Sequence, residues 1–286
     1  MEHKLWHSAF FGAIQLEFNE YRNELEFVSE HHLISDPLKI DLVIIKKRRN
    51  IVIQKNIAGI FRRYNVIEYK SPSVSVTIED YYKTRACCWL YASFKHIDIK
   101  DMSLTMVITR HPRELLKYLK NQFGITSIQR GIYILEHDTI PTQVIVSKEL
   151  SEDENLWLTN LNQNLTIDRL DHVTNEIDEY KNDAAVRAYI DVVIGANFQT
   201  YKKLMETKDM KTLTQHLKEM GLIDKWLAEG QIKGRAEGRA EGLAEADEKW
   251  QSAQIEAARK LKHSGVNYET IVEALGLSLK EVKRLK

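Results

Sequence analysis

Residues 6 to 22 set Phe10, Phe11, Ile14, Phe18 and Tyr21 at spacings of three and four, the period at which one face of a helix repeats. Leu25 to Ile34 then alternates in part, as a half-buried strand does. Leu38 to Ile45, LKIDLVII, is an almost unbroken apolar run ending in a basic turn, which predicts a strand covered on both faces. One acid, Asp41, interrupts it. Asn65 to Lys70, NVIEYK, reads as the next strand; Ser71 and Pro72 stop it, because proline brings no donor to a central ladder. A helix is predicted over Ile78 to Phe94, further strands over Leu104 to Thr109, Ile132 to Glu136 and Gln143 to Val146, and a helix over Pro112 to Asn121. The fold these elements predict is α/β, a mixed central β-sheet flanked by helices.

From about Ser151 the β patterning fades into polar, helix-compatible sequence, so a boundary is expected there: an α/β domain over 1 to 150 and a helical region over 151 to 229. Residues 230 to 250 hold the repeat GQIKGRAEGRAEGLAEA, with glycines at 230, 234, 238 and 242. Each glycine costs a helix about 1 kcal/mol. Their four-residue spacing would line one face where a second helix can approach closely; a solvated linker explains the same composition. The end, 251 to 286, reads as three short helices broken at Gly265 and Gly276, with Ser278 and Glu281 at capping-box spacing.

The composition is that of a soluble globular chain, 43% hydrophobic and 29% charged, and no apolar run approaches the roughly 20 residues that span a bilayer. No membrane partner is expected. No basic segment followed by an apolar run opens the sequence, and the only cysteines, Cys87 and Cys88, are adjacent, so a reduced, cytoplasmic protein is expected. The formal net charge is zero, which alone argues against strong nucleic-acid binding. That zero is a cancellation. Lys46, Lys47, Arg48, Arg49, Lys55, Arg62, Arg63 and Lys70 fall between 46 and 70 against one acid, Glu68, while residues 1 to 36 carry seven acids and two basic side chains. A solvated hairpin would explain the run at 46 to 49 as well as a nucleic-acid contact does.

Two apart on one strand, Glu68 and Lys70 project from the same face. Alone, such a pair need only neutralise itself. Asp41 adds weight, because a carboxylate inside an apolar strand is costly unless a partner replaces its hydration. If the two strands pair, Asp41 and Glu68 can converge, and a magnesium ion between them would answer the repulsion, with Lys70 beside it to orient water or offset phosphate charge. These are the ingredients of metal-assisted phosphodiester hydrolysis; a buried ion network is the plainer alternative.

Asp41, followed after a connecting segment by Glu68-Tyr69-Lys70, resembles the PD-(D/E)XK nuclease signature. The stretches PLKIDLVIIKK, QKNIAGIFRRYNVIEYKSP, SVTIEDYYKTRACCWLYAS and IPTQVIVSKELSEDENLWL together resemble the recombination-promoting nuclease or putative transposase family of that superfamily, over roughly residues 7 to 160. The resemblance implies a restriction-endonuclease-like core and metal-dependent endonucleolytic cleavage of DNA, in recombination or transposition. Asp41 and Glu68 would hold Mg2+, with Mn2+ as a substitute, and Lys70 would be the catalytic lysine. An acid on the first helix often completes such sites; Glu17 is the candidate, ahead of Glu20. Lys46, Lys47, Arg48, Arg49, Arg62, Arg63 and, on the helix after the active strand, Lys83 would contact DNA, whereas neighbouring Tyr82 reads more simply as core. The pattern departs in one place: Pro37 precedes Asp41 by four residues.

Other chemistry has little support. His3 and His7 have i, i+4 spacing but no third ligand, and read as surface residues; His31 and His32 are adjacent and would face opposite sides of a strand. No phosphate-cradling glycine loop or GxSxG elbow is present. The competing reading, from another class, is a DNA-binding or oligomeric assembly protein on a nuclease fold that no longer cuts. NYETIVEALGLSLKEVKRLK has the length and glycine turn of a helix-turn-helix displaying Lys280, Lys283, Arg284 and Lys286, and a homo-oligomer through the C-terminal helices explains the same segment.

Overall fold

Val66, Ile67 and Tyr69 lose all but about 1% of their exposure, which requires a strand with cover on both faces. That strand is β3 (Tyr64–Lys70), in the middle of a seven-stranded sheet. The computed structural model describes residues 2–29, 42–48, 51–180, 183–207, 218 and 221–285. With β1 (Leu25–Val28), β2 (Leu42–Lys47), β4 (Met102–Ile108), β5 (Ile125–Gln129), β6 (Ile132–Leu135) and β7 (Thr142–Val146), the sheet order is β1-β2-β3-β4-β7-β6-β5. β1, β2 and β3 pair antiparallel, β3-β4 and β4-β7 pair parallel, and β7-β6 and β6-β5 pair antiparallel. The expected mixed sheet flanked by helices is the architecture observed.

The alternation of β3 divides the two layers. Val66 points into a cluster with Ile44, Leu104 and, from α2 (Ile78–Lys95), Cys87, Cys88 and Tyr91. Leu115, Leu116 and Leu119 of α3 (Arg113–Phe123) continue this layer over Met106, Ile108 and Val144. On the opposite face Tyr69 stacks on Phe10 of α1 (Glu2–Glu17), ring centroids 4.4 Å apart and planes 3° off parallel. His7 meets the same tyrosine edge-on at 5.7 Å and is buried, so the first helix is anchored there, against the expectation of a surface histidine.

α1 continues into a second helical layer. The segment after Ser151 forms α4 (Leu156–Thr159), α5 (Ile167–Glu176), α6 (Ala184–Ala196) and α7 (Phe198–Thr207). α6 buries Ala185, Val186, Tyr189, Ile190, Val193 and Ile194, and Gly12 of α1 lies directly on the Ala185 backbone. The first compact unit therefore runs to Met220, taking in helices expected to form a region of their own beyond 151. Their apolar faces have the sheet's own helix to cover.

The second unit, from Gly221, holds α8 (Leu222–His263), α9 (Tyr268–Leu275) and α10 (Leu279–Arg284). The glycine repeat is helical, part of a 42-residue helix roughly 63 Å long at 1.5 Å per residue. A Cβ at Gly238 or Gly242 would meet nothing within 4 Å. The first of the three expected short helices is the last turns of α8; the break before α10 falls at Gly276, whose φ of 66° suits a residue without a Cβ. Ala258, Ile271 and Val282 close a small core, and the Ser278–Glu281 capping box is formed.

Candidate active site

Glu68 and Lys70 stand on the α2 face of β3, where the strand runs out towards the N-terminus of that helix. Glu68 is 6% exposed. Its Oε1 lies 3.1 Å from Lys70 Nζ, and the same ammonium donates to Asp80 Oδ1 at 2.9 Å. Asp80 is held in place by the start of α2: its Oδ2 accepts from Thr77 N at 2.9 Å, while Thr77 Oγ1 accepts from Asp80 N at 3.3 Å. This capping box leaves one carboxylate oxygen for the cap and turns the other to the lysine. Burial works to lower the Lys70 value, but Glu68 and Asp80 outweigh it and hold the ammonium above its usual range. Burial likewise works to raise Asp80, and is outweighed by Lys70 and Thr77, which keep it below the ordinary carboxylate range.

Lys83, one turn further along α2, is exposed. Cys87 and Cys88 are buried thiols pushed up to about 11 and about 12 by that burial, neutral core residues as expected. Tyr82 differs from the reading as core: it is half exposed, and its hydroxyl lies 2.8 Å from that of Tyr118.

Asp41 lies outside the described residues. Leu42, which follows it in the chain, is the Cα partner of Glu68 across β2 and β3. Glu17 is placed elsewhere. It ends α1, on the Tyr69 side of the sheet, and its oxygens are engaged by Lys55 Nζ at 2.7 Å and by Leu158 N at 2.9 Å. The carboxylate thus caps the short helix α4, and the structure does not bring it together with Glu68 and Lys70, the residues with which it was expected to share a metal.

Burial raises the Glu17 value above its ordinary 4.5 despite Lys55 and the α4 amides, so the folded state holds the carboxyl proton more tightly than the unfolded chain does. Such a group contributes stability that is present at low pH and lost as pH rises through its folded value. Glu17→Ala is expected to cost about 2 to 3 kcal/mol, since a buried amide loses its acceptor. Glu17→Gln keeps an acceptor and should cost less than about 1 kcal/mol, and thermal melts should show it gaining on the parent as pH rises above 4.5. A Gln variant as damaged as the Ala variant at every pH would contradict this account.

The basic residues gather at the other end of the hairpin. Lys46 pairs across the strands with Tyr64, while Leu42 pairs with Glu68. About 20 Å of extended strand therefore separates the 46-to-48 and 62-to-63 positions from Lys70. Lys46 is bound to Glu26 at 2.8 Å, and the Arg63 guanidinium sits 5.4 Å from the Tyr64 ring centre. Lys47 is depressed by burial and by Arg62 nearby; Arg48 is exposed, and Arg49 lies outside the described residues, as do His31, His32 and Lys286. The expected closeness of this cluster to Glu68 and Lys70 is not what the structure shows, because β2 and β3 carry the two groups at their opposite ends.

Asp80 was the residue missed. Its signal was present, since Thr77-Ile78-Glu79-Asp80 has capping-box form just before a helix, but only the fold brings it to Lys70. Compared with protein-family models, curated proteins and solved structures, the chain matches none of them.

Proposed function

We propose that the first unit is a metal-dependent endonuclease that hydrolyses DNA phosphodiester bonds at a site built from Asp41, Glu68 and Lys70. The observation that carries this reading is the Glu68–Lys70 pair on the central strand, side chains 3.1 Å apart, with Leu42, the residue after Asp41, as the backbone partner of Glu68. Glu68 offers a hard oxygen donor held in a largely buried setting, which suits Mg2+ or Mn2+. A bound divalent ion would polarise the phosphate and make attacking water a better nucleophile. Glu68 and Asp41 would hold it. Lys70, kept charged by its two carboxylates, supplies a fixed cation for the phosphate or the water, and Asp80 fixes where that cation sits.

Supercoiled plasmid incubated with magnesium, manganese or chelator tests the reading. Nicking by the parent that needs the metal and is lost in Asp41→Ala is the expected result; no nicking under any condition, or nicking equal in parent and variant, would remove it. A second reading, a DNA-binding or assembly protein, draws on the exposed Lys280, Lys283 and Arg284 along α10. Among the described residues no helix is long and apolar enough to cross a membrane.

A further inference from the structure

We infer that the phosphate backbone of the nucleic acid is gripped by Arg110 and Lys148, with Arg169 beside them, at the sheet edge next to Lys70, and not by the basic hairpin. The inference rests on the nuclease reading and names the surface that presents the substrate to its site. β3, β4 and β7 run parallel and side by side, so their C-terminal ends emerge together, the position at which open α/β sheets build their binding crevices. Lys70 pairs with Ile108, and Ile108 with Val146. Arg110 and Lys148 each follow two residues later, both exposed. The loops are tied together: Thr109 Oγ1 reaches the Lys70 carbonyl at 3.5 Å, and His111 Nδ1 lies 2.7 Å from Glu149 Oε1.

Among the described residues neither Arg110 nor Lys148 forms an ion pair with an acid, whereas Lys46 is already held by Glu26. Arg169 is only loosely engaged, 3.6 Å from Glu152. Lys148 is depressed by burial and then by Arg110 and Arg169, so its nearest charged influences are cations, of which only Arg169 has an acid, Glu152, in reach. A phosphate diester would offset that positive charge. α3 begins at the same edge with Pro112 as its N-cap, and no side chain caps its first turn. Its open amides therefore favour the same charge.

Binding of a 20-base-pair fluorescent duplex, measured by anisotropy across a salt series with calcium in place of magnesium, separates the surfaces. The Arg110→Ala, Lys148→Ala double variant should lose about tenfold or more in affinity near 100 mM salt, and its log–log salt slope should fall by about two, close to 0.9 per phosphate contact removed. Arg62→Ala with Arg63→Ala, and Lys280→Ala with Lys283→Ala, should leave the slope unchanged. A double variant that binds like the parent, or a loss confined to either control pair, overturns the inference while metal-dependent nicking by the parent leaves the nuclease reading standing. A parent that neither binds the duplex nor nicks plasmid removes both.

Discussion

Changing Lys70 to alanine is expected to reduce metal-dependent nicking by at least about a hundredfold, the scale of a positioned acid–base or charge-stabilising group. It should also weaken the fold. The ammonium is shared by Glu68 and Asp80, and without it two carboxylates remain at the same spot. Breaking a wholly buried pair costs about 3 to 5 kcal/mol; here Asp80 keeps about a quarter of its side chain in water, so about 2 to 3 kcal/mol is the expected loss. In a unit of this size that is a fall in Tm of roughly 5 to 10 °C. Because both effects are foreseen, a companion separates them. Lys70→Met combined with Glu68→Gln removes the ammonium and the more buried carboxylate together, leaves only the partly exposed, capping Asp80 charged, and should recover most of the stability without recovering cleavage. Quantified nicking and thermal melts read the two outcomes, and a Lys70→Ala protein that nicks like the parent would return the lysine to a structural role.

Gly12→Ala should be more damaging than its size implies. A Cβ there would press into the Ala185 carbonyl oxygen and come within 3.3 Å of the carbonyl carbon and 3.4 Å of Tyr189 N. These are backbone atoms of a neighbouring helix, so no side chain can turn aside, and α1 must shift with the Phe10 ring that it stacks on Tyr69. Overpacking of this kind costs about 1 to 3 kcal/mol, occasionally more, against the roughly 1 kcal/mol that alanine ordinarily gains over glycine inside a helix. Because the clash is with backbone, the cost should fall at the upper end of that range, for a net loss of up to about 2 kcal/mol. Gly238→Ala in α8 is the control: with nothing within 4 Å, it should follow propensity and gain about 1 kcal/mol of helix stability. Denaturant titrations compare them, and a stabilised Gly12→Ala protein would contradict the packing of α1 on α6.

β3 and α2 could be read directly because their signals are local: a two-residue alternation ended by Pro72, and a capped start at Thr77. Glu68 and Lys70 came with the strand. What pairs with them did not, since a strand pattern says which face a side chain takes and nothing about the helix laid across that face. Asp80 and the true partner of Glu17 were hidden for this reason. β5 escaped because its central residues are exposed and alternate weakly at a sheet edge. The helices after Ser151 were legible as helices, but periodicity alone does not say that the face of α6 from Ala185 to Ile194 belongs against α1. Counting positive residues in sequence put the hairpin cluster beside the site; strand direction puts it at the far end of β2 and β3.

The strand order also decides when the sheet can close. β7 lies between β4 and β6, yet it is made after both. The β5–β6 hairpin can therefore form locally while it has no strand to join, and the outer edge of β4, with buried Leu104, Met106 and Ile108, stays unmatched until residues 142 to 146 arrive. Open apolar edges of this kind recruit strands from other chains. Dilution during refolding should favour the native sheet for that reason, and a chain stopped between Leu135 and Thr142 would carry two exposed edges that only Thr142 to Val146 can join.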